Sequence, residues 1–345
     1  MNFIFVIISV MAKIVKKFFK RMIKKHVGVI IFALVALILA FMLFGYATRK
    51  PVLITVSSGA TVTDVANVLK KHDLVDSVSS FKLAVRANGG RIQVGQYEIP
   101  RGASAWRIAR MLANGDVATT KIMIPEGMTI KQIKILLAND GALSGSVDCA
   151  AGAMAPVCNI RDGDIFPDTY KVARGTMRLA VLDLARRKMD SVRAKMETRA
   201  KPKPLASWND VVTLASIVQK ETPYASEMPI VASVYLNRLR AGMRLQADPT
   251  VVYVLTDGLG DMQGEPLLTG HLKLDSPYNT YRNKGLPPGP IANVGAAAIR
   301  AVLHPADTNY LYFVADGNGG HKFSNSYEDH VKNRADWREI KKMKK

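Results

Sequence analysis

A single carboxylate in the second half of the chain lies where a proton-transfer group would be expected. Glu221 is the last residue but one of the largely apolar segment 211–222, VVTLASIVQKET. Asn209 or Asp210 can cap the start of a helix here, and Pro223 prevents the helix from continuing. The sequence therefore predicts a short helix with Glu221 in its last turn.

The helical projection predicts an unusual environment for Glu221. At about 100° per residue, three apolar residues share its face, and these are Leu214, Ile217 and Val218. Burial beside them and the negative end of the helix dipole both disfavour the anion, so the pKa of Glu221 should rise. A carboxyl group with a raised pKa can act as a general acid. The alternative is a solvated last residue on an ordinary amphipathic helix.

Further polar residues follow in segments that could face a substrate. A second helix, capped by Ser226, is predicted to run to Arg240 and to end at Gly242. The polar candidates after it are Gln246, Asp248, Tyr278 and Asn279. Turn and capping chemistry explains such residues equally well. A stiff Pro/Gly segment, 285–293, could form one wall of a cleft.

The N-terminal region predicts a membrane anchor. Residues 27–47, VGVIIFALVALILAFMLFGYA, carry no charge and reach the roughly 20 residues that cross a bilayer. Lysines and arginines crowd the basic segment 1–26, so the positive-inside rule leaves the N-terminus in the cytoplasm and exports everything after Thr48. The alternative is a cleaved signal peptide. Met11 would make a more ordinary start than Met1.

Export changes the meaning of the charge and of the cysteines. A formal net charge of +20 would suggest nucleic acid in a cytoplasmic protein, but an exported one favours anionic lipid or cell-wall polymer. Cys149 and Cys158 are the two cysteines of the chain, and in an oxidising compartment they favour one local disulfide over two free thiols. They lack a partner pattern for zinc.

A repeat follows the apolar segment. Superposing Ile54 on Ile122 brings Gly59 onto Gly127 and Thr61 onto Thr129. Val56, Val65 and Leu69 likewise align with Ile124, Ile133 and Leu137. Each copy predicts a strand, a glycine turn and a capped amphipathic helix. Such α+β units often bind extended ligands, although packing alone would require the same pattern.

Six segments of the chain resemble the MltG-type, YceG-like endolytic murein transglycosylases. They are 214–222 (LASIVQKET), 231–239 (VASVYLNRL), 243–250 (MRLQADPT), 278–281 (YNTY), 285–291 (GLPPGPI) and 310–315 (YLYFVA). The family usually has Glu at the position of Gln219 and Pro at that of Val294. The family's catalytic acid maps to Glu221.

The resemblance implies an α+β protein of the inner membrane. It would have one transmembrane helix, a LysM-like module at 51–118, a connecting α+β region at 119–204 and a catalytic domain at 205–340. The catalytic region would be periplasmic, and no nucleic acid would be bound. Expected partners are peptidoglycan glycan strands and peptidoglycan synthases. The residues expected to bind substrate are Ser216, Asn237, Gln246, Asp248, Tyr278 and Asn279.

The implied reaction is cleavage of the β-1,4 bond between N-acetylmuramic acid and N-acetylglucosamine without water, which would limit nascent strand length. Glu221 would act as acid and then as base, and neither metal nor organic cofactor would be needed. A hydrolysing muramidase is the rival, with Asp248 or Glu227 as second carboxylate. A catalytically silent wall-binding anchor is the rival from another class.

Overall fold

A computed structural model describes residues 29, 31–33, 50–150, 156–197, 200–260 and 262–343. The chain forms two compact units, which divide between Thr119 and Thr120. Both mix helices and strands, so the expected α+β class is confirmed. The predicted transmembrane helix at 27–47 lies, apart from residues 29 and 31–33, outside the described residues. Among the described helices, none is both long and apolar enough to cross a membrane.

The first unit is built on a two-stranded sheet. Strand β1 (Val52–Val56) pairs antiparallel with β2 (Gly95–Ile99), with Ile54 opposite Tyr97. The helices are α1 (Val62–Lys71), α2 (Val78–Ala87) and α3 (Ala105–Asn114). Their apolar faces and alternate strand residues form one core, which contains Phe81, Tyr97 and Leu112 among others. The helix and strand pattern of the sequence thus yields one hydrophobic cluster for this unit.

The predicted repeat is confirmed at the level of individual residues. In the second unit, strand β3 (Thr119–Met123) leads into α4 (Ile130–Asn139), as β1 leads into α1. Gly59 and Gly127 take left-handed φ values of 79° and 78°, which glycine adopts without strain. Thr61 and Thr129 both begin their helices with a capping box. Because a strand, a glycine turn and a cap are all local signals, one alignment found both copies.

The first half of the second unit surrounds its own core. Strand β3 pairs with β4 (Thr169–Ala173), and helix α5 (Arg178–Met196) follows. The buried members of this cluster are Ile122, Ile124, Ile133, Leu137, Leu143, Ile165, Tyr170, Val172, Val181, Leu182 and Ala185. Arg178 donates to the carbonyls of Leu137, Ala138, Asp140 and Gly145, which fixes the end of α4 to the start of α5.

Cys149 and Cys158 form the expected disulfide, with their Cα atoms 5.7 Å apart. The bridge closes a loop with a sequence separation of 9 residues. A short 3₁₀ helix, Pro156–Asn159, carries the second cysteine.

Replacing Cys149 and Cys158 together by serine should lower the free energy of unfolding by about 2–3 kcal/mol or less, because so short a loop loses little unfolded-state entropy when it is closed. Urea unfolding of the double variant against the wild-type chain measures this difference. A loss well above this range would mean that the cysteines contribute native packing beyond loop closure.

The second half of this unit is mainly helical. Its helices are α6 (Trp208–Glu221), α7 (Met228–Arg240), α8 (Asp248–Leu255), α9 (Ala296–Leu303) and α10 (Tyr327–Met343). Helices α6, α7 and α9 pack together around a large cluster that includes Leu214, Ile217 and Val231. The prediction that Ser226 caps α7 is wrong, because Glu227 precedes the first residue of the helix and makes no side-chain cap hydrogen bond. The helix ends at Arg240, and Gly242, with a φ of 67°, lies just past its end as expected.

Helix α6 differs from the prediction in two ways. Ser207 caps its start, not Asn209 or Asp210, and Asp210 is the residue that completes the capping box. Every residue from Val211 to Val218 is buried, including Thr213 and Ser216. The body of the helix, from 211 to 218, is therefore surrounded by protein on all sides, whereas Asn209 near its start is exposed and Glu221 at its end is partly exposed.

The C-terminal part is a hairpin followed by a helix. Strands β5 (Tyr312–Ala315) and β6 (His321–Ser324) pair antiparallel, so β5 is shorter than the strand predicted at 308–315. Side chains of α7, not a neighbouring strand, bind the preceding carbonyls: Asn237 donates to Thr308 and Tyr310, and Arg238 to Leu311. Helix α10, which the sequence pattern did not indicate, packs on this hairpin.

Candidate active site

The side chain of Glu221 lines a cleft of about 610 Å³ in the second unit. Glu221 is the last residue of α6, and the buried body of that helix fixes the position of its backbone. The hydroxyl of Tyr235, on α7, donates to Oε1 of Glu221 at 2.6 Å. Among the described residues this is the hydrogen bond that the carboxyl group receives, so Oε2 is left for a substrate.

The surroundings of Glu221 favour its protonated form. Burial is the largest influence and, together with the negative charge of Asp248, raises its pKa to about 7. The Tyr235 hydrogen bond and the positive charge of Arg238 oppose that rise. The sequence anticipated the direction and the role of burial, while Asp248 adds a contribution from a different helix. Near neutral pH the group can therefore both give and accept a proton.

Arg238 places a cation near Glu221 without pairing with it. Its guanidinium is buried and donates to the carbonyls of Leu245 at 2.6 Å and Leu311 at 2.7 Å. It also lies 5.4 Å from the ring centre of Tyr312. These contacts hold the charge in place and connect α7 to the segments that line the cleft.

Gln246 and Asp248 line the cleft that contains Glu221, and their predicted contacts with substrate stay a prediction. Gln246 has a left-handed φ of 48°, and its backbone N–H donates to Thr280 at 3.1 Å. Asp248 starts α8 and accepts a hydrogen bond from the hydroxyl of Tyr281. Burial and this carboxylate raise the pKa of Tyr281, which therefore stays protonated as the donor.

The other predicted binding residues have protein partners. Ser216 is fully buried, donates to Thr213 and accepts from the N–H of Ile291. Asn279 is also fully buried and donates to Leu272 and Leu274. Asn237 binds the carbonyls before β5, as described above. The hydrogen bonds of Ser216, Asn279 and Asn237 thus hold neighbouring segments in position. Contacts between these three side chains and substrate stay a prediction.

Tyr278 does not line the cleft and forms an aromatic pair with Tyr253. Its ring centre is 5.2 Å from that of Tyr253, whose hydroxyl donates to the buried Asp162 at 2.7 Å. Tyr278 is not among the residues that line the cleft, and its role in binding substrate stays a prediction.

Several residues of the cleft were not expected from the sequence. They are Tyr235, Arg238, Tyr281 and, from α10, Tyr327, His330, Arg334 and Trp337. In the sequence, Tyr235 shares a helical face with Val231, Val234 and Leu239, which predicts only a core position. A buried tyrosine usually needs a hydrogen-bond partner for its hydroxyl, and that rule was the available signal. The α10 residues gave no such signal.

Glu227, one of the two carboxylates considered as a second catalytic group, has protein partners. Its Oε2 lies 2.8 Å from Nδ1 of His321 and accepts from Thr222, while Oε1 accepts from the backbone of His321. These hydrogen bonds and the charge of His321 outweigh burial, the largest single influence, and lower its pKa. Glu227 thus joins the end of α6 to β6 and is not among the residues that line the cleft.

A family model described as the YceG-like family matches residues 54–336. The chain belongs to this family. A crystal structure of a yceG-like protein, lmo1499 from Listeria monocytogenes, matches with a TM-score of 0.51 and 28% identity, over 83% of this chain and 99% of that one.

Two named relatives extend the comparison. The endolytic murein transglycosylase of Bacillus subtilis (strain 168) is 30% identical over 308 residues, which is 83% of this chain and 84% of that protein. The endolytic murein transglycosylase of Streptococcus pneumoniae serotype 2 (strain D39 / NCTC 7466) is 26% identical over 327 residues. That match covers 84% of this chain but 59% of the pneumococcal protein.

Gln219 shows how this YceG-like chain accommodates its departure from the family pattern. Its Oε1 accepts from the N–H of Gly295 at 3.2 Å, at the start of α9. The side-chain amide of Gln219 therefore accepts a hydrogen bond that holds the start of α9. Unlike the family's usual Glu, it does so without adding a second negative charge to the last turns of α6.

Proposed function

We propose that this protein is an endolytic murein transglycosylase, which cuts peptidoglycan glycan strands internally. Membership of the YceG-like family and the named relatives support the class of reaction. The observation that carries the chemistry is the partly buried Glu221, held by Tyr235 in a cleft with its pKa near 7.

The proposed reaction uses Glu221 twice. Its protonated carboxyl group gives its proton to the oxygen of the β-1,4 bond between N-acetylmuramic acid and N-acetylglucosamine, and the bond from that oxygen to the muramyl C1 breaks. The resulting carboxylate then takes the proton of the muramyl C6 hydroxyl as this oxygen bonds to C1. The products are a 1,6-anhydromuramyl end and a free C4 hydroxyl, and Glu221 regains its proton.

A nucleophile within the substrate removes the need for a second catalytic carboxylate. A hydrolase normally uses one to activate water or to attack the sugar. Glu227 is bound to His321, and Asp248 accepts the hydroxyl of Tyr281. Asp248 lines the cleft and is therefore the carboxylate on which the hydrolase alternative depends.

Mass spectrometry of digested sacculi distinguishes the two reactions. Wild-type protein should release fragments with 1,6-anhydromuramic ends, and Asp248→Asn should change the rate but not the product. Muramic acid with a reducing end would establish hydrolysis instead. Binding without any released fragment would favour a wall-binding anchor.

The rate should fall at high pH, because the reaction begins with Glu221 protonated. We expect the basic limb of kcat/KM to have an apparent pKa of about 7. The Tyr235 hydrogen bond stabilises the carboxylate, so Tyr235→Phe should move this limb to higher pH.

Tyr312→Phe is the matched control for that shift, since Tyr312 lines the same cleft and its hydroxyl makes no hydrogen bond to the described residues. The pH profile of both variants and the wild type gives the comparison. An unmoved limb in Tyr235→Phe would assign the titration to a group other than Glu221.

The remaining parts of the proposal concern location and partners. We place residues 27–47 in the inner membrane, with a cytoplasmic N-terminus and a periplasmic catalytic region, because of the charge asymmetry around that segment. The first unit would serve as a LysM-like glycan-binding module. Cleavage near peptidoglycan synthases would then limit the length of nascent strands. Cell fractionation with protease accessibility tests the topology.

A further inference from the structure

Helix α10 contributes one face to the cleft. His330, Arg334 and Trp337 follow one another at intervals of four and three residues, which places them on the same side of a helix. All three line the cleft that contains Glu221. The ring of His330 stacks on Tyr312, with centroids 5.2 Å apart, which anchors this face to β5. The helix therefore lies beside the reacting groups.

The guanidinium of Arg334 has no ion-pair partner among the described residues. Lys332 and Lys342 of α10 pair with Glu328 and Glu339, and Lys341 lies over the ring of Trp337. Arg338 has no such partner among the described residues, but it does not line the cleft. Arg334 makes no hydrogen bond or ion pair to the residues that the structure describes. Arg238, also in the cleft, donates to backbone carbonyls. Arg334 is thus the exposed arginine of the described cleft whose donors are available to a ligand.

His330, on the same face, provides a second and independent observation that points to a ligand. Its Nδ1 is buried and has no hydrogen-bond partner in the described chain. Burial, followed by the charges of Arg334 and Arg238, lowers its pKa, so the ring is neutral at neutral pH. His330 therefore adds no positive charge, and a ligand on this face would meet the guanidinium of Arg334 between an imidazole and an indole. The ammonium of Lys341 lies 5.0 Å from the ring centre of that indole.

The substrate class of the proposed function supplies a matching anion. Each muramyl residue carries a lactyl group on its C3 oxygen, and the lactyl carboxyl is either free or extended by a stem peptide with carboxylates of its own. The planar guanidinium of arginine can bind a carboxylate through two parallel hydrogen bonds. The negative charge of Asp248 in the same cleft would repel such a group, whereas the cation of Arg334 would attract it.

We propose that Arg334, between His330 and Trp337 on α10, binds a carboxylate of the muramyl substituent and so selects peptidoglycan strands over uncharged glycans. This inference rests on the proposed function and adds a specificity-determining residue to it. The carboxylate could belong to the lactyl group or to the stem peptide, and a comparison of substrates distinguishes these sources.

The test measures dissociation constants with the full chain in the inactive Glu221→Gln background. The probes are peptide-bearing strands, strands freed of peptide by an amidase, and freed strands whose lactyl carboxylates are converted to methylamides. Arg334→Gln should weaken binding of a carboxylate-bearing strand about tenfold, the size of one charge-assisted hydrogen bond on an exposed group. It should leave binding of the methylamide strands unchanged.

Arg338→Gln is the matched control, because it removes the same charge from the same helix at a residue that does not line the cleft. Loss on amidase-freed strands alone assigns the lactyl carboxylate, because the stem peptide holds that carboxyl as an uncharged amide. Loss on peptide-bearing strands alone assigns a stem carboxylate, and loss on both strands means that Arg334 binds either carboxylate. Equal binding by the Arg334 and Arg338 variants on every strand overturns the inference, as does an equal loss on methylamide strands.

Turnover of peptide-bearing strands by the protein with Glu221 intact is recorded separately. Absent anhydro product would refute the proposed function, whereas product from the wild type together with equal binding of every strand by Arg334→Gln and Arg338→Gln would refute only the role of Arg334.

Discussion

Glu221→Gln should reduce turnover by about 10²–10⁴-fold, the usual contribution of general acid–base catalysis. Glutamine keeps the size of the side chain and can still accept the hydrogen bond from Tyr235, but it cannot give up and regain a proton. The release of anhydromuramyl fragments from sacculi, at equal protein concentration and matched thermal stability, measures the loss.

Glu265→Gln is the control for that experiment, since Glu265 is an exposed glutamate that does not line the cleft. It should retain wild-type activity. If Glu221→Gln remained within a few-fold of the wild type, the proton donor would have to be another residue, and Asp248 would be the first to test.

Asn293→Ala should lower the free energy of unfolding by about 2–6 kcal/mol, because it leaves two buried N–H donors without an acceptor. The Oδ1 of Asn293 accepts from Gly163 and Ile165, both at 3.0 Å. Its Nδ2 donates to Met128 at 3.0 Å, and the side chain is fully buried. One residue thus joins three separate segments of the second unit.

Urea unfolding of Asn293→Ala and Asn283→Ala provides the measurement and its control. Asn283 also donates to two backbone carbonyls, those of Ser276 and Asn279, but it is exposed, so water can replace its contacts. Its loss should cost less than about 1 kcal/mol. Similar losses in the two variants would show that burial of the Asn293 network does not determine its energy.

The sequence predicted what depends on local pattern. The strand, turn and cap of each repeat are encoded within about a dozen residues, and so is the helix that ends at Glu221. The direction of its pKa shift also followed, because the apolar face of α6 indicated burial, and burial is the largest influence on that pKa. The disulfide prediction needed only two nearby cysteines and the predicted export of this part of the chain.

What the sequence could not give depends on contacts between distant segments. Tyr235 approaches Glu221 only because α7 packs on α6, and Asp248 affects Glu221 only through the turn that starts α8. Helix α10 has no buried residue, so it lacks the apolar stripe that reveals helices in a sequence. Its place in the cleft follows from packing on the β5–β6 hairpin, which no local pattern specifies.

The environment of Glu221 couples protein folding to proton binding. Its pKa is about 7 in the folded chain, against an ordinary value of 4.5, so between these values the folded state holds a proton that the unfolded state releases. The stabilisation is complete below the ordinary pKa and is lost as pH rises through the folded pKa, by about 3 kcal/mol in total. The fold is therefore most stable when Glu221 is protonated, which is the state that begins catalysis. Each time Glu221 ionises during turnover, the free energy of unfolding falls.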